Sequence, residues 1–320
     1  MPDLSVSFPP SVLVVGTVAF DTVETPFGRA ERILGGSATY ASLAARLLAG
    51  PVQLNAVVGA DFPEAHIAML RERGVDTDGL VVDPEGETFF WAGRYHYDLN
   101  TRDTLTTHLN VLADFTPDLP EAYRRAQIVC LGNLDPSIQS AVIDQCETGG
   151  GASLVVADTM NFWIETTPDA LAETLRRVDV LVINDEEARQ LADTPNLVQA
   201  ARAIRAMGPD TLIIKKGEHG ALLFCGEEIF SAPAFPLEDV VDPTGAGDTF
   251  LGGFAGHLLR VGAVDSESMR QAVVVGSALA SFVVEAFGPE RLASITPAEL
   301  DDRIGAFRRL SEIPEGIATA

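Results

Sequence analysis

Lysine is almost missing from this chain. Only Lys215 and Lys216, side by side, occur among its 320 residues. With 46 acidic residues against 22 basic ones, the formal net charge is −24. A field of that sign repels DNA, RNA and anionic membrane surfaces, so neither nucleic acid nor membrane is expected as a partner. A small anion held locally by backbone amides is not excluded. Cysteine is scarce too: Cys130, Cys146 and Cys225 have no C-x-x-C spacing, and an odd count does not build a disulfide framework. A reduced, cytoplasmic protein is expected. The opening stretch MPDLSVSFPPSVLVVG has no basic region and only a short apolar run, which predicts neither signal peptide nor membrane anchor. Familiar catalytic signatures are missing as well: there is no Walker A loop, no H-E-x-x-H and no G-x-S-x-G. After the first predicted strand, Val15-Gly16-Thr17-Val18-Ala19 does not supply a dinucleotide G-x-G-x-x-G. His66, His96, His108, His219 and His257 are scattered, as surface or core histidines are.

What is present is ordinary globular composition, 47% hydrophobic with 28 Gly and 19 Pro, at a length that suits one large α/β domain over 1–320. Apolar runs predict strands at Val12–Val15, Leu54–Val58, Ile128–Leu131, Leu154–Ala157, Val180–Ile183, Leu212–Ile214 and Ala221–Phe224. Helical patterns fall between them, at Ala38–Leu48, Pro63–Arg73, Pro136–Cys146, Pro168–Arg177 and Leu197–Met207. The alternation predicts a doubly wound, mainly parallel sheet flanked by helices. Two segments, approximately 17–33 and 85–110, are too polar and strand-like for crossover helices. With β formers such as Phe89-Phe90-Trp91 and Tyr95-His96-Tyr97 they predict a small β lid over the ligand edge of the sheet.

The densest stretch in chemistry is Glu238–Leu259, EDVVDPTGAGDTFLGGFAGHLL. A strand end at Val240-Val241 runs through Asp242-Pro243-Thr244 into Gly245-Ala246-Gly247-Asp248. Phe250, Phe254 and Leu258 then recur at helical spacing. Glycines before a helix let successive amides converge on one point, and the helix dipole adds positive potential there. Asp248 puts a carboxylate at the mouth of this cradle. Amides that steady a phosphoryl group, beside a carboxylate that takes a hydroxyl proton, are the parts of phosphoryl transfer to an alcohol. Taken alone, the same residues also describe a helix capped by Thr244 or Asp248.

DPTGAGD followed by a Phe- and Gly-rich helix resembles the C-terminal signature of the ribokinase-like (PfkB) carbohydrate kinases. The resemblance implies that the amides of Gly245, Ala246 and Gly247 form the anion hole and that Asp248 is the catalytic base. It extends along the chain. Gly35-Gly36 opens the first long helix, on its own merely a helix-start turn; the resemblance implies that the pair lines the acceptor. The family's Asn four residues after the second glycine is Tyr40 here, which alters the usual sugar contacts and is large enough to stack on a ring. Asp21, otherwise a solvated loop carboxylate, would accept hydrogen bonds from vicinal hydroxyls. Asn184 and Glu187 match the N-x-x-E motif, implying contact with nucleotide phosphates and, through water, with magnesium. Their spacing is equally that of a helix-capping pair, and both readings hold together. Lys215 and the turn made by Gly217 and Gly220 resemble the nucleotide side of the family, with Thr244 adjoining it. Asp242 stands where the family's monovalent-cation loop begins, which admits a potassium ion. Asn133, Asp158 and Asn161 fall at predicted carboxyl ends of strands as second-rank candidates, and Asp135 reads as a turn cap.

The expected protein is thus a kinase that uses ATP and Mg2+ on a hydroxyl of a sugar, polyol or nucleoside. Its rival is a non-catalytic sugar- or nucleotide-binding protein on the same fold. Free edges in the lid also allow two subunits to pair as a homodimer.

Overall fold

The computed structural model describes residues 10–312. Residues 1–9 of the stretch assessed for a leader, and both ends of the expected 1–320 domain, lie outside these. The chain starts with β1 (Val12–Val15), then β2 (Ala19–Thr25) and β3 (Gly28–Gly35) as a hairpin, then α1 (Ser37–Leu48). Next come β4 (Val52–Gly59), α2 (Glu64–Glu72), β5 (Val75–Asp83) and a second hairpin of β6 (Phe90–Tyr95) and β7 (Arg102–His108). A βα series follows: β8 (Ile128–Leu131), α3 (Pro136–Thr148), β9 (Leu154–Ala157), α4 (Asn161–Thr166), α5 (Pro168–Leu175), β10 (Val180–Asn184), α6 (Asp185–Ala192) and α7 (Leu197–Arg205). The last part holds β11 (Thr211–Lys215), β12 (Ala221–Cys225), β13 (Glu228–Ala232), α8 (Ala246–Val261), α9 (Ser266–Val283), α10 (Glu290–Ser294) and α11 (Pro297–Leu310).

Nine strands form the central sheet in the order β13-β12-β11-β10-β9-β8-β1-β4-β5. All neighbours pair in parallel except at β11–β12 and β12–β13. The β1 strand reads VLVV and is wholly buried because both faces are covered. Val12 and Val14 enter the core beneath α1, α8 and α9, while Leu13 and Val15 enter the core beneath α3, α5 and α7. The lid is a separate four-stranded sheet, β3-β2-β6-β7, with its central pair parallel.

All seven predicted strands are present, and the two lid segments pair as expected. Edge strands β5 and β13 were not predicted. In β5 the sequence VDTDGLVVD breaks alternation, its pairing with β4 carries a register shift, and Val81 and Val82 stand exposed. In β13 no hydrophobic face is complete.

Candidate active site

The order of the sheet reverses at β1, which lies between β8 and β4, and the carboxyl ends of strands at such a switch form a crevice. Gly132, just after β8, donates its amide to Val15 O at 2.8 Å. From β1 the chain enters β2, which carries Asp21 into the crevice, where it is buried. A Cβ at Gly35 would fall 1.9 Å from Asp21 Oδ2, so only glycine admits the carboxylate there. The Gly36 amide also donates to it. Burial, then the negative charges of Asp242 and Asp248, push the Asp21 pKa up to about 7. Both charges that raise it are negative.

The half expected to bind phosphate is built at the start of α8. Gly245 is the N-cap residue, in the left-handed region at φ 78°, and no side chain caps the helix. The capping alternative for Thr244 and Asp248 is thereby set aside. Thr244 instead donates its amide to Asp242 Oδ1 at 2.8 Å. Of the three amides assigned to an anion hole, that of Ala246 donates to Pro243 O at 3.2 Å. Lys215, at the end of β11, brings its Nζ to within 2.8 Å of where a Gly247 Cβ would stand, and 3.5 Å from Asp158 Oδ2. Burial lowers the Lys215 pKa, but Asp158, Glu187 and Asp248 more than offset this and hold it above its usual value.

Three carboxylates face this ammonium. Asp248 is raised to about 6 by burial and by Asp158, against the pull of Lys215 and Arg102. Glu187 is raised to about 7 by burial and Asp158. Burial also lifts Asp158, opposed mainly by Lys215. Perturbed carboxylates beside an uncapped helix N-terminus and a buried lysine mark a site of chemistry. Such an environment can bind polyphosphate, and it can hold a carboxylate ready to accept a proton near neutral pH. Among the described residues no three His, Cys, Asp or Glu side chains converge to hold a metal. A magnesium ion here would draw most of its shell from phosphate oxygens and water, as this hard cation commonly does.

The structure separates the remaining candidates. Asn184 and Glu187 form a full capping box: Asn184 N donates to Glu187 Oε2 (2.7 Å) and Glu187 N to Asn184 Oδ1 (2.8 Å). The Glu187 carboxylate nonetheless belongs to the charge cluster. Gly217 and Gly220 shape the turn after β11, both at positive φ. Asp135 caps α3 through the Ser137 amide at 2.8 Å. Asn133 is held by Trp163 Nε1 (2.9 Å), and Asn161 bonds Gln190 (2.6 Å).

Tyr40 is not an open platform for stacking. Its side chain is 1% exposed, and a Cβ at Gly245 would press into its ring at 2.5 Å. The hydroxyl has no hydrogen-bond partner among the described residues, and after burial itself its main influences are Asp21, Asp242 and Asp248. The aromatic ring packs between α1 and the start of α8. Asp158, a second-rank candidate in the sequence, pairs with Lys215, and that pairing depends on the sheet order that brings the ends of β9 and β11 near each other.

The lid reaches over both halves. Tyr95 of β6 is buried and accepts a bond from Thr244 Oγ1 at 3.3 Å. At the tip of the second hairpin, a Cβ on Gly217 would lie 2.3 Å from Asn100 Oδ1, so the lid touches the turn after β11.

Comparison with known proteins agrees with this architecture. Residues 11–295 match the family described as pfkB family carbohydrate kinase. The chain is 29% identical over 245 residues to a cytidine kinase of Thermococcus kodakarensis, covering 76% of this chain and 86% of that protein. It is 26% identical over 306 residues to an aminoimidazole riboside kinase of Salmonella typhimurium, covering 92% and 94%. The solved structure of a Methanocaldococcus jannaschii nucleoside kinase, described as an archaeal member of the ribokinase family, superposes with a TM-score of 0.72 at 21% identity, over 92% of this chain and 98% of that one.

Proposed function

The chain belongs to the pfkB family of carbohydrate kinases, ATP-using phosphotransferases with a hydroxyl acceptor, and from that premise we propose that it phosphorylates a neutral riboside. The observation that carries this reading is Asp21, a buried carboxylate seated on Gly35 whose proton affinity is raised by burial and by Asp242 and Asp248. It suits the vicinal hydroxyls of an uncharged pentose. A phosphorylated sugar or a sugar acid would bring further negative charge beside Asp21, Asp242 and Asp248, at a Coulombic cost. The names of two relatives, a cytidine kinase and an aminoimidazole riboside kinase, favour a riboside over a free sugar.

In this reading the acceptor hydroxyl lies against Asp248, which takes its proton as the oxygen bonds to the γ-phosphorus. The bond from that phosphorus to the β–γ bridging oxygen breaks, and its electron pair leaves with ADP. Lys215 and the open amides at the start of α8, Gly247 foremost, hold the phosphoryl oxygens, while Glu187 and Asn184 orient the polyphosphate side. The turn of Gly217 and Gly220 receives the nucleotide, and Thr244 stands between the two halves. Gly36 lines the acceptor with Gly35. When bound, magnesium would neutralise charge on the phosphates, and Glu187 would hold it through water. Asp242 Oδ2 is buried without a partner, a condition that a monovalent cation such as potassium relieves.

Asp248→Asn is expected to keep fold and ATP binding while kcat falls by at least ~10², the lower range for loss of a general base. ADP release with ribosides, free pentoses and hexoses as acceptors measures this directly. Turnover of the variant at the wild-type rate would remove Asp248 from the mechanism; hexoses outrunning ribosides would remove the riboside.

The lid also offers an assembly surface. Strands β3 and β7 are the outer strands of this sheet, and a hollow of about 480 Å³ on its face is lined by the charged Glu24, Arg29, Glu31 and Arg32 together with Phe90 and Leu105. A second copy of the chain pairing there is part of the proposal.

A further inference from the structure

Packing accounts for the ring of Tyr40 and leaves its hydroxyl unexplained. The residue lies at the start of α1, and a Cβ at Gly245 of α8 would come 2.5 Å from its Cε2 and Cζ, the latter being the carbon that carries the hydroxyl. Phenylalanine would fill that space equally well. The hydroxyl is closed to solvent and has no hydrogen-bond partner among the described residues. A buried O–H left unbonded is destabilising, and a folded protein that keeps one has a reason outside packing.

The surroundings of this hydroxyl are acidic. Asp21, Asp242 and Asp248 all act on it, followed by the phenol of Tyr95. Asp21 belongs to the acceptor side and Asp248 to the start of α8, so the Tyr40 hydroxyl stands among the carboxylates that the proposed reaction uses. Tyr95 is the lid residue in this group, itself buried and bonded to Thr244. Ionised carboxylates accept hydrogen bonds and donate none. Vicinal hydroxyls seated on Asp21 therefore find acceptors for their protons and, from the carboxylates, no donor for their oxygens. Tyr40 is such a donor, and a neutral phenol adds no charge to the site.

We propose that Tyr40 sets acceptor specificity: its hydroxyl donates to the oxygen of the riboside 3′-hydroxyl, while Asp21 accepts from that hydroxyl and from its 2′ neighbour. This rests on the riboside reading above and names the hydroxyl that is read. With the diol on Asp21, the 5′-hydroxyl is the one left to meet Asp248, and the 3′-hydroxyl is the member of the diol nearer to it. An entering riboside parts Tyr40 from Tyr95 and brings its oxygen to the unbonded O–H. A donor and an acceptor converging on one hydroxyl discriminate against a molecule that lacks it, because both buried groups are then left unpaired.

The test measures kcat/KM for ADP formation by wild type and Tyr40→Phe with a ribonucleoside and its 2′-deoxy and 3′-deoxy analogues. Calorimetric binding of ADP and thermal melting accompany it. With the ribonucleoside the variant should lose about tenfold, as for one neutral hydrogen bond. The 3′-deoxy analogue should serve the variant no worse than wild type, since both changes remove the same bond, whereas the 2′-deoxy loss should be equal in the two proteins. ADP affinity should stay unchanged, and the melting temperature should hold or rise, because the deleted group is unbonded in the empty protein. Losses that multiply for the 3′-deoxy analogue, or coupling to the 2′-hydroxyl instead, would overturn the assignment. A variant within about twofold of wild type on the ribonucleoside would do the same. So would a lowered melting temperature with an equal loss on every acceptor, the mark of a structural role. In each of these cases wild type turns over and the kinase reading stands. Wild type that binds ATP yet transfers to no acceptor would defeat the kinase reading, and this assignment with it.

Discussion

At the scale of single residues, the site is a cluster of carboxylates kept more basic than free aspartate or glutamate. Burial is the largest cause for Asp21, Asp158, Glu187, Asp242 and Asp248 alike. A raised pKa means that the folded protein holds the proton more tightly than the unfolded chain. The stability this contributes is complete below about pH 4 and is lost as pH climbs through about 6 for Asp248 and about 7 for Asp21. At working pH the empty site therefore strains the fold, and a cationic or hydrogen-bonding ligand relieves it. The same values set the pH dependence of catalysis, since Asp248 must be ionised to take a proton and Asp21 to accept hydroxyl hydrogen bonds. For a riboside acceptor, kcat/KM should begin to fall below about pH 7 and steepen below about pH 6. Steady-state rates between pH 5 and 8 check this. An acid limb that begins only near pH 4 would mean these carboxylates titrate normally.

At the scale of elements, the two halves of the site meet because two helices made of small residues pack closely. A Cβ at Gly252 would stand 2.1 Å from Ala41 O, and one at Gly256 would stand 2.8 Å from Ala45 O, so α8 lies directly on α1. Their N-termini consequently end side by side, with Tyr40 of α1 against Gly245 of α8. The helical spacing of Phe250, Phe254 and Leu258 was legible in the sequence, and all three are buried. Their partner helix was not legible, because periodicity marks a buried face without naming what covers it. Gly245 itself is irreplaceable on two counts, its φ of 78° and the Tyr40 ring. Gly245→Ala should lose about 1–3 kcal/mol from the left-handed conformation alone. Turnover should fall further, because relief of the clash displaces the amides that follow. Urea unfolding and ADP release on the same preparation measure both, and an unchanged unfolding midpoint would show that the strained turn is dispensable.

At the scale of the whole molecule, the lid is a separate sheet that touches the main domain through Tyr95 at Thr244 and through Asn100 at Gly217. Its hollow face leaves Leu105 49% exposed. If a second copy covers this face, Leu105→Glu should convert a dimer to a monomer in sedimentation velocity by placing a charge in an apolar contact. A wild-type protein that sediments as a monomer at micromolar concentration would discard the lid as an interface. No helix among the described residues is long and apolar enough to cross a membrane.

The sequence by itself determined seven of the nine strands of the central sheet, the two lid segments and the Gly-Ala-Gly start of α8. All of these are local: alternation, β propensity and turn chemistry act over a few residues. It also placed Asp21, Asn184, Glu187 and Lys215 at strand ends, where a doubly wound sheet gathers its ligands. Only the tertiary structure decided which of these groups share a field. Asp158 and Lys215 are 57 positions apart and meet through the sheet order, and Arg102 joins them through the fold of the lid. Tyr40, a helix residue that looked available to a ligand, proved to be the packing between two helix ends. Pairings of that kind depend on which helices cross and which strands adjoin, and burial then sets the charge states that local sequence cannot foretell.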